Sequence, residues 1–268
     1  MSATALRAAR RPRASVRVAG PDAASYLQRM VSNDVEALPV GGACEALLLT
    51  PKARIVAPMT VLRRGADDFL LLTEPELGEH LAAALRRARF AARAEIEPES
   101  HESTLVLGGE LPPGAVPTAD YGVQAYELLD EPAPAGAEQA DADELERLRI
   151  LARTPRWGRE LDDRVLPAEA GLDERAISFT KGCYPGQEPV ARLHYRGRAN
   201  RGLRVLALDG DELPADDAEL ALDGKAVGRV TSAVADGDGG VLALAYVRRE
   251  VPADAVLVLG RREARQLH

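Results

Sequence analysis

Two apolar runs, Cys44–Leu49 and Ile55–Leu62, stand on either side of Thr50-Pro51-Lys52-Ala53. Short runs around a Pro-containing turn do not join into one helix, so they commit this stretch to an antiparallel hairpin. Around it the first half alternates element types. Ala14–Gly20 (ASVRVAG) and Asp68–Thr73 (DFLLLT) read as strands. Pro21–Met30 reads as a short helix with Ala24, Leu27 and Met30 on one side. Across Glu76–Phe90, Leu77, Leu81, Leu85 and Ala88 recur at the helical period. Arg93–Ile96, Thr104–Leu107 and Gln124–Leu129 read as further strands. The order predicts a mixed α+β body, without the regular strand–helix alternation or GxGxxG loop of a dinucleotide fold.

Between Glu131 and Asp143, EPAPAGAEQADAD has no periodicity and reads as a solvated loop, with Asp143 capping a helix through Leu151. After Asn200 the texture changes. Leu203–Leu208, Ala218–Leu222, Ala226–Ala233, Val241–Tyr246 and Ala255–Leu259 are short strands between Gly, Asp and Pro turns. They suit a small antiparallel barrel or sandwich. A boundary near 198–202 predicts one unit over 1–199 and a second over 200–268.

Charge bounds the partners. With 34 basic and 42 acidic residues the net charge is −8, which argues against general nucleic-acid or anionic-membrane binding. No apolar run approaches the roughly 18 residues that span a bilayer, and a cytoplasmic protein is expected. The acid-free, Arg-rich stretch through Arg17 reads as a basic lead-in to the fold rather than a transit segment. The two cysteines, Cys44 and Cys183, lie far apart. That excludes a disulfide scaffold and a self-contained zinc or iron–sulfur site, which takes about four ligands; no metal site is expected. Only Lys52, Lys181 and Lys225 are lysines, against 31 arginines. A surviving lysine marks a place where a compact ammonium is wanted rather than a planar fork.

The segment Ile177–Arg198, ISFTKGCYPGQEPVARLHYRGR, carries the chemistry. Gly182 and Gly186 bracket Cys183 and let the backbone turn sharply. Lys181, Arg192, His194 and Arg196 surround the thiol with positive charge, partly offset by Glu188, which favours the thiolate. The competing reading is a small buried cysteine in a tight turn. Arg192, His194, Arg196 and Arg198 alternate, so in an extended strand all four share one face. That face either binds carboxylates or phosphates or is a charged edge strand. Phe179, Tyr184 and Tyr195, three of only ten aromatics, cluster here to stack a planar ligand or pack a junction.

KGCYPGQE (Lys181–Glu188), preceded by LPAEAGLDERAISF and followed by ARLHYRG, resembles the signature of the YgfZ folate-binding family, relatives of the glycine-cleavage T protein. VAGPDAASYLQRMVSNDV, LLLTPKARIVAPMTVLR and GKAVGRVTSA extend the likeness over nearly the whole chain. The resemblance implies a folate-binding GcvT-like α+β body with a C-terminal antiparallel β-barrel. It implies tetrahydrofolate as cofactor, and a role in iron–sulfur cluster assembly or repair beside client or assembly proteins. On matching positions Lys181, Gly182, Cys183, Tyr184, Gly186, Gln187 and Glu188 carry the signature, with Cys183 its functional thiol and Arg192 in the adjoining basic stretch. Glu127, in YGVQAYELL, resembles the T-protein glutamate that meets the pterin, and Arg149, in LERLRIL, falls where relatives place an arginine near the pocket.

One departure separates the relatives. T proteins carry acidic residues where this chain has Ala57-Pro58, and aminomethyl transfer needs a carboxylate near the folate nitrogen. The leading expectation is therefore a folate-binding accessory factor rather than a conventional enzyme. A folate-dependent aminomethyltransferase is the alternative, and a non-catalytic module docking an acidic partner is a third reading.

Overall fold

The run Asp68–Thr73 sets the layering of the protein, a computed structural model that describes residues 6–267. Phe69, Leu70, Leu71 and Leu72 are all fully buried. Phe69 and Leu71 join the core beneath two helices, whereas Leu70 and Leu72 pack against Val116 of a second sheet. A strand covered on both faces shows no polar alternation.

In chain order the body comprises β1 (Arg7–Arg10), β2 (Ala14–Ala19), α1 (Ala23–Met30), β3 (Ala43–Leu49) and β4 (Ile55–Gly65). There follow β5 (Asp68–Thr73), α2 (Gly78–Ala88), β6 (Glu95–Glu99), β7 (Ser103–Leu107) and β8 (Val116–Thr118). Next come β9 (Ala125–Leu129), β10 (Glu138–Gln139), α3 (Ala142–Leu151) and α4 (Gln187–Arg196). The last six strands are β11 (Arg201–Leu208), β12 (Glu219–Leu222), β13 (Lys225–Ala235), β14 (Val241–Arg248), β15 (Leu257–Leu259) and β16 (Arg262–Leu267).

One five-stranded sheet has the order β3-β4-β5-β2-β6 and a second has β10-β1-β7-β9-β8. The expected hairpin is β3–β4, with Leu48 opposite Ala57 and Leu47 opposite Pro58. Its turn holds Ala53 at φ 58°, fixed by Ala53 N–H donating to the Thr50 carbonyl at 2.9 Å. Leu81 and Leu85 of α2, with Tyr26 and Leu27 of α1, seal one face of the first sheet. Each such side chain contributes roughly 1.5–3 kcal/mol on burial.

The C-terminal strands close into an antiparallel barrel, β11-β14-β13-β12-β15-β16. Closure removes the exposed edges that six short strands would otherwise present. Leu206, Leu220, Val230 and Leu257 belong to its core, whereas Val205, Val234 and Leu244 pack with Ile150 of α3. The Tyr246 hydroxyl donates to the Glu160 carbonyl at 2.9 Å, and the Ser232 hydroxyl donates to the Glu160 carboxylate at 2.7 Å. The molecule is thus α+β with a closed C-terminal barrel.

Four expectations change. Arg192, His194 and Arg196 lie on a helix, α4, not an extended strand, so Arg192 and Arg196 share a side one turn apart while His194 points elsewhere. The cap of α3 is Asp141, whose carboxylate accepts from Glu144 N–H; Asp143 lies in the first turn, where its charge suits the helix dipole. The 131–143 segment contains β10, which pairs parallel with β1. Residues 7–10 of the basic lead-in are β1; residues 1–5 of that stretch lie outside the described residues.

Candidate functional site

A cavity of about 520 Å³ opens where the two body sheets, α3 and the 154–175 segment meet. That is within the roughly 300–1,000 Å³ typical of small-molecule sites. Six arginines and four carboxylates line it, with apolar surface from Met59, Leu105 and Leu161. Most of these charges are locked. Behind the wall, fully buried Glu127 accepts from Arg11 Nη1 at 3.0 Å, Arg13 Nη2 at 2.7 Å and Ser103 Oγ at 2.7 Å. Burial pushes this carboxyl up, but Arg11, Arg13 and Ser103 together outweigh it and hold it below the usual carboxylate range. Asp120 bridges Arg11 and Arg175, and Glu45 pairs with Arg175. Burial opposes ionisation of Asp120 too, yet the two arginines keep it well below its ordinary value. Arg149 donates to the Thr154 carbonyl at 2.6 Å, Glu146 at 2.9 Å and Glu160 at 3.1 Å.

The Ala57-Pro58 departure is spatial as well as sequential. Ala57 is buried in the core and Pro58 lines the cavity, so β4 offers it no carboxylate. Glu74, just past β5, is the lining carboxylate with no ion-pair partner among the described residues. Its neighbour Thr73 donates its hydroxyl to the Pro58 carbonyl at 2.6 Å, which sets Glu74 beside the position in question.

The signature loop lies apart from this wall. Lys181 is buried, and its ammonium donates to the carbonyls of Val31 and Asn33, each at 2.7 Å. Burial lowers its pKa to about 8. Tyr184 is buried with Leu49 and Ile55. Gly186 takes φ 83°, and a Cβ there would sit 2.6 Å from the Thr50 carbonyl oxygen. These residues pin the loop at both ends, and Gly182 and Cys183 protrude between them, exposed. Tyr184, Gly186, Gln187, Glu188 and Arg192 instead border a separate hollow of about 380 Å³ with Pro51. Phe179 stacks on His194 at 3.9 Å and 20°. The second thiol, Cys44, is half-buried; burial pushes it up to about 12, against the pull of Lys181. It lines a small hollow that shares Glu45, Thr60 and Arg175 with the large cavity. Asn33 links the two regions, accepting from Lys181 through its carbonyl and donating its amide to the Glu45 carbonyl at 2.7 Å.

Residues 12–109 match the family model of the GCVT N-terminal domain. The chain is 31% identical to the tRNA-modifying protein YgfZ of Edwardsiella ictaluri (strain 93-146), across 90% of this chain and 84% of the relative. The chain belongs to the YgfZ family. A YgfZ protein of Yersinia pestis (strain Pestoides F), also named tRNA-modifying, is 26% identical over 91% of the chain and 84% of its own length. Among solved structures, the glycine cleavage system aminomethyltransferase T of Bartonella henselae superposes with a TM-score of 0.81. It covers 99% of this chain and 85% of its own at 18% identity, a likeness of fold.

Of the YgfZ-signature residues and their expected companions, the structure brings only Arg149 to the cavity wall, with Glu127 one layer behind. Lys181, Gly182, Tyr184, Gly186, Gln187, Glu188 and Arg192 gather around Cys183 and α4 instead. Sequence reasoning missed Arg11, Arg13, Glu45, Glu74, Asp120 and Arg175. The signal for two of them was present: Arg10-Arg11-Pro12-Arg13 breaks between two short strands, which is how binding residues are commonly mounted. Among the described residues no group of three or more His, Cys, Asp or Glu is arranged to hold a metal ion.

Proposed function

We propose that this protein binds a reduced folate, of the tetrahydrofolate class, in the central cavity and serves as an accessory factor for iron–sulfur proteins. Its setting would be the tRNA modification for which its relatives are named. The observation that carries the reading is the lining: six arginines against four carboxylates in a chain of net charge −8. A cavity with apolar walls that presents guanidinium groups, while their partners Glu127 and Glu160 lie behind the wall, suits a flat heterocycle with an anionic tail. Arg11 and Arg13, aligned by Glu127, would face the ligand as pre-oriented donors, and Arg149 would hold the opposite wall. Cys183 would present its thiol to a client or assembly protein. One thiol cannot hold a cluster alone, so it would act with a partner's ligands.

Aminomethyl transfer stays the second reading on one observation, the unpaired Glu74 carboxylate beside Pro58. The test of the first is a titration with tetrahydrofolate followed by emission of Trp157. This residue is half-buried in the segment that supplies Pro155, Arg156 and Leu161 to the wall. A saturable change, absent after Arg13→Ala, is expected. No change in emission together with no heat on calorimetric titration overturns folate binding. Methylene-tetrahydrofolate formation from an aminomethyl donor would move the assignment to the second reading.

A further inference from the structure

A basic trough runs beside α4 and borders the central cavity, with Pro155 and Arg175 common to both. One hollow of about 430 Å³ lies between the β3–β4 turn and α4, rimmed by Lys52, Arg54, Arg192 and Arg196 over Leu166 and Val190. A second, of about 570 Å³, continues past the end of α4 to Arg153 and Arg198. The two share Ala168, Asp173, Leu193 and Gly197, so they are one continuous feature. Seven lysines and arginines, Arg175 among them, and three carboxylates line it.

Its charges differ in kind from those of the central cavity. There Arg11, Arg13 and Arg149 all sit in ion pairs, as does Arg175, which borders both sites. Here Lys52, Arg153, Arg192, Arg196 and Arg198 have no carboxylate partner among the described residues. Unpaired cations gathered along one apolar-floored channel raise its potential and concentrate anions there. A small anion would satisfy one end. A row of cations spread over both hollows matches a chain of regularly spaced negative charges.

Aromatic surface decides between kinds of chain. Tyr195, on the same helix, is 67% exposed, with its ring edge-on to the stacked Phe179–His194 pair. Tyr195 lines neither hollow but stands next to Arg196 on α4, and an exposed ring near backbone-binding cations suits bases, each of which has a π-face, more than the carboxylates of an acidic peptide. The chain's acidic surplus is an average over the whole surface, and this trough is a local exception to it.

We propose that the trough along α4 binds a single-stranded RNA segment, phosphates on Lys52, Arg192, Arg196 and Arg198, with a base stacked on Tyr195. The proposal rests on the tRNA-modification reading above, and adds that RNA touches this chain directly and where. The test is fluorescence anisotropy of a labelled single-stranded 12-nucleotide RNA with the full chain, over a series of salt concentrations. Arg192→Ala/Arg196→Ala should weaken binding at least tenfold and flatten the slope of log K against log salt by about 1.4, at ~0.7 per phosphate contact on single strands. Tyr195→Ala should weaken binding with no change in slope. Lys225→Glu, exposed on the barrel, should leave both intact. The trough proposal is overturned by absence of RNA binding at low salt, by equal losses in Lys225→Glu, or by tighter binding of poly-glutamate than of RNA. Tetrahydrofolate titration separates the readings: a double variant that keeps folate binding but loses RNA locates the RNA site, a double variant that keeps RNA binding overturns it, and a wild type that binds RNA but no folate overturns the folate reading alone.

Discussion

Glu127→Gln discriminates between two roles for the fully buried carboxylate behind the cavity wall. The side chain accepts four hydrogen bonds, from Arg11, from Nε and Nη2 of Arg13 and from Ser103. Glutamine keeps the shape but turns one acceptor into an NH₂ donor and removes the negative charge between two guanidinium groups. Arg13 has no other carboxylate partner among the described residues, whereas Arg11 retains Asp120. Breaking a buried pair costs about 3–5 kcal/mol, and the surviving Asp120 contact argues for the lower end. At ~2–4 °C per kcal/mol for a chain of this size, about 3 kcal/mol lowers Tm by roughly 6–12 °C. The assay is a thermal melt by circular dichroism without ligand, followed by folate titration below the new midpoint. Because the native carboxyl is held below its ordinary value, its contribution is complete above the unfolded pKa and is lost on acidification. The gap between wild type and variant should therefore narrow as pH falls below about 4.5. An unchanged Tm with abolished ligand binding would refute the reasoning, because the carboxylate would then face the ligand and not the arginines.

Further outcomes follow from the signature loop. Gly186→Ala, which meets the Thr50 carbonyl at 2.6 Å with φ 83°, should lose at least about 2 kcal/mol in urea unfolding. Gly182→Ala has nothing within 4 Å and no positive φ, so it should stay within about 0.5 kcal/mol of wild type; a large loss would mean that the fold needs that glycine. For Lys181, lowered to about 8 by burial, the folded state gives up its proton first. Wild type should therefore gain stability over Lys181→Met as pH rises from about 8 toward 10.5, read by urea midpoints at each pH. Native iodoacetamide at pH 8 should add one adduct, at exposed Cys183, and spare Cys44, pushed up to about 12; peptide mass spectrometry showing Cys44 labelled would contradict this. Cys183→Ala should melt like wild type yet fail to restore iron–sulfur enzyme activity in cells lacking the protein, and full rescue would remove the thiol from the proposed function.

The β3–β4 hairpin, α2 and the run Asp68–Thr73 were legible because periodicity or turn chemistry alone decides them. β1 and β16 were not: RAAR and REARQL bury mainly alanine and owe their conformation to pairing with β7 and β11. The basic stretch after Glu188 was misread because Arg192, His194, Arg196 and Arg198 alternate, a period of two that a polar helix face also permits. Helix signals were there as well, with Pro189 in the first turn and Gly197 just beyond the end. The cavity's own charges were hidden for a different reason. Arg11, Glu45, Asp120 and Arg175 are scattered along the sequence and meet only through tertiary pairing, and no local pattern encodes such a network.

Lysine's scarcity now has a physical sense at one position. The Lys181 ammonium fits between two carbonyls in a buried niche, where a guanidinium would bring donors with nothing left to accept them. With Tyr184 in the core and Gly186 against the hairpin turn, three of the signature residues hold the loop and leave Gly182 and Cys183 outside it. The fold asks nothing of Gly182, neither room for its backbone nor a left-handed φ. If that glycine serves anything, it serves close approach of another molecule to the chain beside the thiol. On the proposed function the loop is a rigid mount for a docking tip, set apart from the wall of the central cavity. A cross-linker carried on the Cys183 sulfur should accordingly capture a protein partner, and its failure to capture any while Gly182→Ala retains full activity would undo this view of the loop.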